Sequence, residues 1–173
     1  MSESPLYDFS IPIFRNGLLT LSRILKKAEA FAKANNLDPN DVYPQARLIE
    51  DQLPLVFQIQ NATKTIRVNV DRLMRLDSAP FEDTEKTFQD LHARIEVAAK
   101  LLEEVDPKVV KGREDIIVDL LAGGCPIKLS VSQAVQLHGI PNFLFHITTA
   151  YSILRAHGVP LGKADFICSF VGL

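Results

Sequence analysis

Apolar residues recur along this chain in steps of three and four, and four stretches sustain the pattern long enough to predict helices. In the first, Phe14, Leu18, Leu21, Leu25, Ala28 and Ala32 fall on one stripe, while Arg15, Arg23, Lys26 and Lys27 lie mostly outside it. Ser10 is a good N-cap and Pro12 suits a first turn, so the helix is expected to start there. The polar run Asn35-Asn36-Leu37-Asp38-Pro39-Asn40 should end it. The second segment runs from about Tyr43 to Leu76, and Pro54 must kink it or divide it into a short approach turn and a longer helix. Phe57, Ile66, Val70 and Leu73 continue its inward face. Gln58, Gln60, Asn61 and Thr63 make its first half polar, which reads as a solvated face.

The third helix has the cleanest period: Phe88, Leu91, Ile95, Ala98, Leu102 and Val105 alternate by three and four. Asp83 or Thr84 can cap it, and Asp106-Pro107 stops it. From Lys108 to Ser130 the helical period fades. Ile116-Ile117-Val118 and Ile127-Lys128-Leu129 flank Gly123-Gly124, predicting a short β-hairpin with a loop of several residues. Val131 to His138 is expected to be a short helix. The last helix starts at Gly139-Ile140-Pro141, carries Phe143, Ile147, Ala150 and Leu154 inward, and ends at Gly158, with Pro160 beyond. The pattern therefore predicts an all-α chain, an antiparallel four-helix bundle with a small β-hairpin or irregular insertion around residues 110–130, in one domain spanning 1–173.

Composition narrows the functional classes. With 19 Lys and Arg against 21 Asp and Glu, the formal net charge is −2, which does not suit a general nucleic-acid binder. No apolar run is long enough for a membrane span, and Met1-Ser-Glu-Ser-Pro lacks the basic and apolar regions of a secretory signal. Cys125 and Cys168 are expected to stay reduced, and a cytoplasmic location follows as an expectation. No phosphate-cradling glycine loop, nucleophile elbow or zinc-protease motif is present.

His146 sits one residue before Ile147, on the shoulder of the last apolar stripe. The blocks Pro141-Asn142-Phe143-Leu144-Phe145-His146, Thr149-Ala150-Tyr151-Ser152-Ile153-Leu154-Arg155 and Gly158-Val159-Pro160-Leu161-Gly162-Lys163-Ala164-Asp165-Phe166 resemble the C-terminal signature of DUF1993, a family of unknown function. Leu53-Pro54-Leu55-Val56-Phe57-Gln58 and Leu91-His92-Ala93-Arg94-Ile95 also resemble it. That family is similar to the DinB and YfiT-like bundles. Their typical metal site, the resemblance implies, takes one histidine from the second helix and two spaced four apart on the fourth. Three neutral imidazoles and a water suit zinc or nickel.

Here His146 matches the first histidine of the fourth-helix pair, but Ala150 stands at the second position and Gln58 at the second-helix position. One imidazole of three remains, so no metal and no cofactor are expected. His92 reads as a helix-boundary residue and His157 as an exposed helix end, where a cation would complement the helix dipole. His138 falls in a connector that reaches His146 only by folding over the bundle. The reading favoured by the residues is a small-molecule-binding bundle, enzymatic or not, with His146 and Gln58 as polar contacts and Tyr151 as a wall residue of an apolar pocket between the second and fourth helices. Two alternatives stay open: a DinB-like divalent-metal-dependent transferase or hydrolase, and a non-catalytic homodimeric interaction protein.

Overall fold

Ser4, not Ser10, caps the first helix. In the computed structural model, which describes residues 3–173, α1 spans Pro5–Ala34, and the Ser4 hydroxyl accepts the Tyr7 N–H at 3.3 Å. Ser10 lies inside the helix, where its hydroxyl donates to the Leu6 carbonyl at 2.6 Å. Two Ser-to-Pro start signals compete in this sequence; the upstream one wins because Leu6 and Ile11 are then buried with the rest of the stripe. Pro12 stays within the helix and removes one of its internal hydrogen bonds.

A short turn, α2 (Pro39–Val42), follows. Pro54 then divides the second segment outright. The approach is irregular, tied by Leu55 N–H to the Ala46 carbonyl (2.9 Å) and Val56 N–H to the Pro44 carbonyl (3.0 Å), and α3 spans Leu55–Met74 with Pro54 at its N-cap. Its apolar face is Leu55, Ile59, Ala62, Ile66, Val70 and Leu73. Phe57, expected inward, is half-buried instead. Gln58, Gln60 and Thr63 are buried, which overturns their reading as a solvated face. Each has a partner on another part of the chain or on its own backbone, as buried polar groups require.

Those partners explain the path of the connection to the next helix. Residues 75–87 run back along the outside of α3: the Ser78 carbonyl accepts from Arg67 (2.8 Å), Asp83 pairs with Lys64, and Glu85 accepts from the Gln60 amide (2.9 Å). The helix α4, Phe88–Glu103, therefore begins beside the start of α3. Its cap is Thr87, in a capping box with Asp90, rather than Asp83 or Thr84. Both expected caps sit in the connection, and Asp83 is engaged by Lys64 and by Arg94. Arg94 is nearly fully buried and uses all five of its N–H groups. Nε donates to Thr63 Oγ1 (2.7 Å), Nη1 to the Glu82 carbonyl and Glu85 Oε1 (both 2.7 Å), and Nη2 to the Gln60 carbonyl (3.3 Å) and Asp83 Oδ1 (3.1 Å).

Beyond a short α5 (Pro107–Val110), β1 (Ile117–Ala122) and β2 (Cys125–Ser130) form an antiparallel hairpin with Ile117 opposite Ser130 and Ala122 opposite Cys125. Its connection is only Gly123-Gly124, shorter than expected. Both residues have positive φ (58° and 82°), the two-residue turn that matches strand twist. Ser130 then caps one helical run: α6 (Val131–Gln133), a π-helical turn (Ala134–Gly139) and α7 (Ile140–Ala156). Gly139-Ile140-Pro141 is thus a seam within a helix and not a start. A terminal α8 (Lys163–Ile167) and a 3₁₀ turn (Cys168–Val171) pack on α1, where Thr20 Oγ1 donates to the Phe166 carbonyl at 2.9 Å.

The four longest helices pack in the order α1, α7, α3, α4 and back to α1. Their senses are mixed, contrary to the antiparallel expectation. Arg94 meets the start of α3, whereas Arg113, beyond α4, reaches the Arg72 carbonyl at its end (3.0 Å), so α3 and α4 are parallel. Phe14 meets Phe143 (ring centroids 5.3 Å apart) and Phe31 lies beside Gly158, so α1 and α7 are parallel too. Of the expected core residues only Phe57 lies outside the buried set. No helix among the described residues is long and apolar enough to cross a membrane.

Leu102→Ala should destabilise the fold by about 2–5 kcal/mol in chemical denaturation, because Leu102 is buried and its truncation leaves a cavity in the core. Arg94→Met should lower stability by roughly 3 kcal/mol, since it removes the cation from the nearly buried Glu85 and leaves the Glu82 and Gln60 carbonyls without this donor. A loss below about 0.5 kcal/mol would show that the network does not hold the connection.

Candidate functional site

The α3–α7 seam brings together two of the three residues singled out from sequence. His146 Nδ1 lies 2.8 Å from Gln58 Oε1. The amide of Gln58 has no freedom to turn, because its Nε2 donates to the Leu53 carbonyl at 2.8 Å. That carbonyl is available because Pro54 follows it and the helix has not yet begun. An amide oxygen only accepts, so Nδ1 of His146 must carry the proton. The ring is therefore held as the tautomer whose Nε2 is a bare lone pair. Nε2 has no hydrogen-bond partner among the described residues, and it is not fully enclosed.

The surroundings are aromatic. Phe57 meets the His146 ring edge-on at a centroid distance of 6.2 Å, and Phe145 does so at 5.3 Å. His146 is 8% exposed, while Phe145 is 59% and Leu53 46% exposed. Burial pushes the His146 imidazole down to about 4, so the ring is neutral at physiological pH. One turn towards the helix start, Asn142 Nδ2 donates to Thr65 Oγ1 at 2.7 Å and ties the two helices again. Sequence reasoning missed Phe145 and the Leu53 carbonyl; only the Leu53-Pro54 step gave any signal of the latter.

Tyr151 is not part of this group. It packs edge-on against Phe166 (5.9 Å) and lines a hollow of about 240 Å³ with Thr148, Lys163, Phe166 and Ile167. Five residues beyond His146 on a helix, it points to a different face. The larger hollows among the described residues, beside α1, at the α1–α2 turn and beside Arg94, are lined by other side chains than His146.

The donor set does not fit a three-imidazole metal centre. Ala150 offers no lone pair, and both polar atoms of Gln58 are already engaged. The other histidines lie elsewhere: His92 pairs with Glu29 across α1 and α4 (3.0 Å), and His138 belongs to the π-turn. His157, at the end of α7, lies 2.9 Å through Nδ1 from the Ile153 carbonyl. Among the described residues no group of three or more His, Cys, Asp or Glu converges. Both cysteines are free thiols, exposed at Cys125 and half-buried at Cys168.

The model of the family described as "Domain of unknown function (DUF1993)" matches residues 6–167. The chain belongs to this family. A solved structure of a DinB family member protein from Shewanella denitrificans is 36% identical, covering 94% of this chain and 91% of that one, with a TM-score of 0.85. The family's chain fold is thus DinB-like: mostly helical, with a small two-stranded antiparallel sheet. No curated protein matches the sequence.

The lowered imidazole has a consequence for stability. The unfolded chain protonates His146 near pH 6.5 and the folded protein only near pH 4. Between those values the unfolded state binds more protons, so stability falls as pH drops through this window. The effect is roughly 3 kcal/mol at most. Denaturant unfolding at pH 7 and pH 4.5 should show His146→Gln losing much of the acid sensitivity of the parent. An NMR titration that places His146 near pH 6.5 in the folded protein would refute the assignment.

Proposed function

We propose that this protein binds a small organic molecule at the α3–α7 seam without a metal, using His146 as a fixed hydrogen-bond acceptor. The observation that carries the reading is the tautomer lock: Leu53 holds Gln58, Gln58 holds His146, and Nε2 is left as a bare lone pair on a ring that Phe57 and Phe145 meet edge-on. A neutral imidazole in that state accepts an O–H or N–H from a ligand whose apolar body lies on Phe57 and Phe145. With the imidazole lowered to about 4, it is a weak proton acceptor at neutral pH, which favours binding and orientation over general-base chemistry. Gln58 acts by holding the ring. Tyr151 has no part in this seam and, if it meets a ligand, does so with Phe166 on the other face.

The exposed pair Leu53 and Phe145 supports a second reading, in which two copies of the bundle associate through this edge of the seam. The two are separable. Light scattering on Phe145→Ser should leave the molecular mass unchanged if the edge is a ligand site, and should halve it if the edge is a dimer contact.

The proposal is tested by a thermal-shift screen of aromatic alcohols, phenols and amides. Hits should lose their stabilisation in His146→Phe and keep part of it in Gln58→Glu, where a carboxylate still accepts the Nδ1 proton. Metal analysis of natively purified protein should find zinc and nickel well below one equivalent. A stoichiometric metal that disappears in His146→Ala would overturn the metal-independent reading.

A further inference from the structure

An open groove of about 780 Å³ runs between α1 and the chain's terminal 3₁₀ turn, sharing no residue with the α3–α7 seam. Its wall on α1 extends from Arg15 to Ala30, about 22 Å of helix. Four cations line it, Arg15, Arg23, Lys26 and Lys27, and no lining side chain is acidic. Arg23 lies three residues before Lys26 and four before Lys27, spacings at which like charges on a helix repel. A chain with 21 acidic residues against 19 basic ones has gathered cations here and kept its acidic side chains out. Such a surface favours a counter-charge.

Two of the four cations are engaged within the chain. Arg23 Nη2 donates to the Leu173 carbonyl at 2.8 Å, and Lys27 pairs with Asp165 at 2.9 Å. Both contacts hold the terminal segment against α1. Arg15 and Lys26 make no hydrogen bond or ion pair among the described residues. Leu19, one turn after Arg15 and one turn before Arg23, is 54% exposed on the same wall. Opposite α1, Ser169 is buried, and its hydroxyl, a donor as well as an acceptor, has no partner. The α1 wall thus presents a cation, an apolar step and further cations in line, each about one helical turn from the next.

We propose that this groove docks an acidic amphipathic helix of a partner protein. A helix laid along α1 with the spacing Glu-x-x-x-Leu-x-x-x-Glu sets its leucine against Leu19 and a carboxylate beside Arg15 and Arg23, because both helices advance about 6 Å in four residues. Arg15 has all its donors free for a carboxylate, and Lys26 meets the next acidic residue along. The charges steer the partner and set its register, while Leu19 supplies the apolar contact. A compact anion would meet one of these cations and leave the length of the groove unused. A nucleic acid suits it less, since no aromatic side chain lines the groove for bases to stack on. The docking uses neither His146 nor Gln58, so it stands or falls apart from the seam reading.

The test is isothermal titration calorimetry of the full chain with an acetylated and amidated alanine-based peptide of about 18 residues, long enough to form a helix, that carries the Glu, Leu, Glu spacing. Saturable one-to-one binding is expected, and a peptide with glutamine in place of each glutamate should not bind. Arg15→Glu combined with Lys26→Glu should weaken binding at least about tenfold. Neither side chain holds a contact, so circular dichroism should show the fold unchanged. Reversing two exposed cations outside the groove, Lys100→Glu with Lys108→Glu, should change the affinity less than about threefold. Leu19→Gln, which keeps every charge, should weaken it at least about threefold. No saturable binding, equal weakening by the two double variants, or parental affinity in Leu19→Gln would overturn the proposal. So would free glutamate binding as tightly as the peptide, the mark of a surface for small anions, or a uridine decamer binding more tightly, the mark of one for nucleic acid.

Discussion

Arg94 organises the path of this chain. Its five N–H groups hold α3 and the connection after it as one unit, and Phe81 covers the guanidinium face at 4.7 Å. Such a cation pays for desolvation only when every donor is met, so the 75–87 connection cannot leave α3 without exposing several buried groups together. Because that connection returns to the start of α3, α4 must run parallel to it. The opposite flank of α3 is left for α7, and the His146–Gln58 contact forms there. A structural ion network on one side of a helix thus fixes what the other side can meet.

The helix α3 accordingly carries two polar seams beside one apolar face. Gln60 and Thr63 turn towards Arg94; Gln58, Thr65 and Asn69 turn towards the last helix. On the first seam Gln60, Thr63 and Arg94 all find partners within the chain. On the second the hydrogen bonds are incomplete: Nε2 of His146, Oδ1 of Asn69 and Nδ1 of His138 have none among the described residues. Polar atoms that are all satisfied hold a fold together, whereas those left open face outward to a solute or are sealed at a cost. That openness on the α7 side is what the proposed binding at His146 rests on.

Much of the architecture was legible in apolar periodicity. The stripes of α1, α4 and α7 needed no correction beyond their ends, because burial of a helical face depends on spacing alone. The ends were less legible: Ser10-Ile11-Pro12 and Asp83-Thr84 are sound start signals that the chain uses otherwise, since tertiary contacts decide among competing caps. The direction of α4 could not be read at all. It depends on Arg94 meeting residues from a connection that has no periodicity. Of the candidate site, His146 and Gln58 could be paired through the family resemblance. That Tyr151 faces Phe166 and not His146 depends on the rotation of α7, which apolar spacing alone does not give.

The mixed helix order also bears on how the molecule assembles. The last long helix sits between α1 and α3, so the ring of four closes only when residues 140–156 dock against segments more than a hundred and about eighty positions earlier. Such distant pairings slow folding relative to a bundle of sequential hairpins. As the chain emerges from the ribosome, Gln58, Thr65 and Asn69 stay open to water until α7 arrives. The α3–α7 seam therefore cannot close until most of the chain has been made, and a molecule bound there would act as a latch on the finished fold.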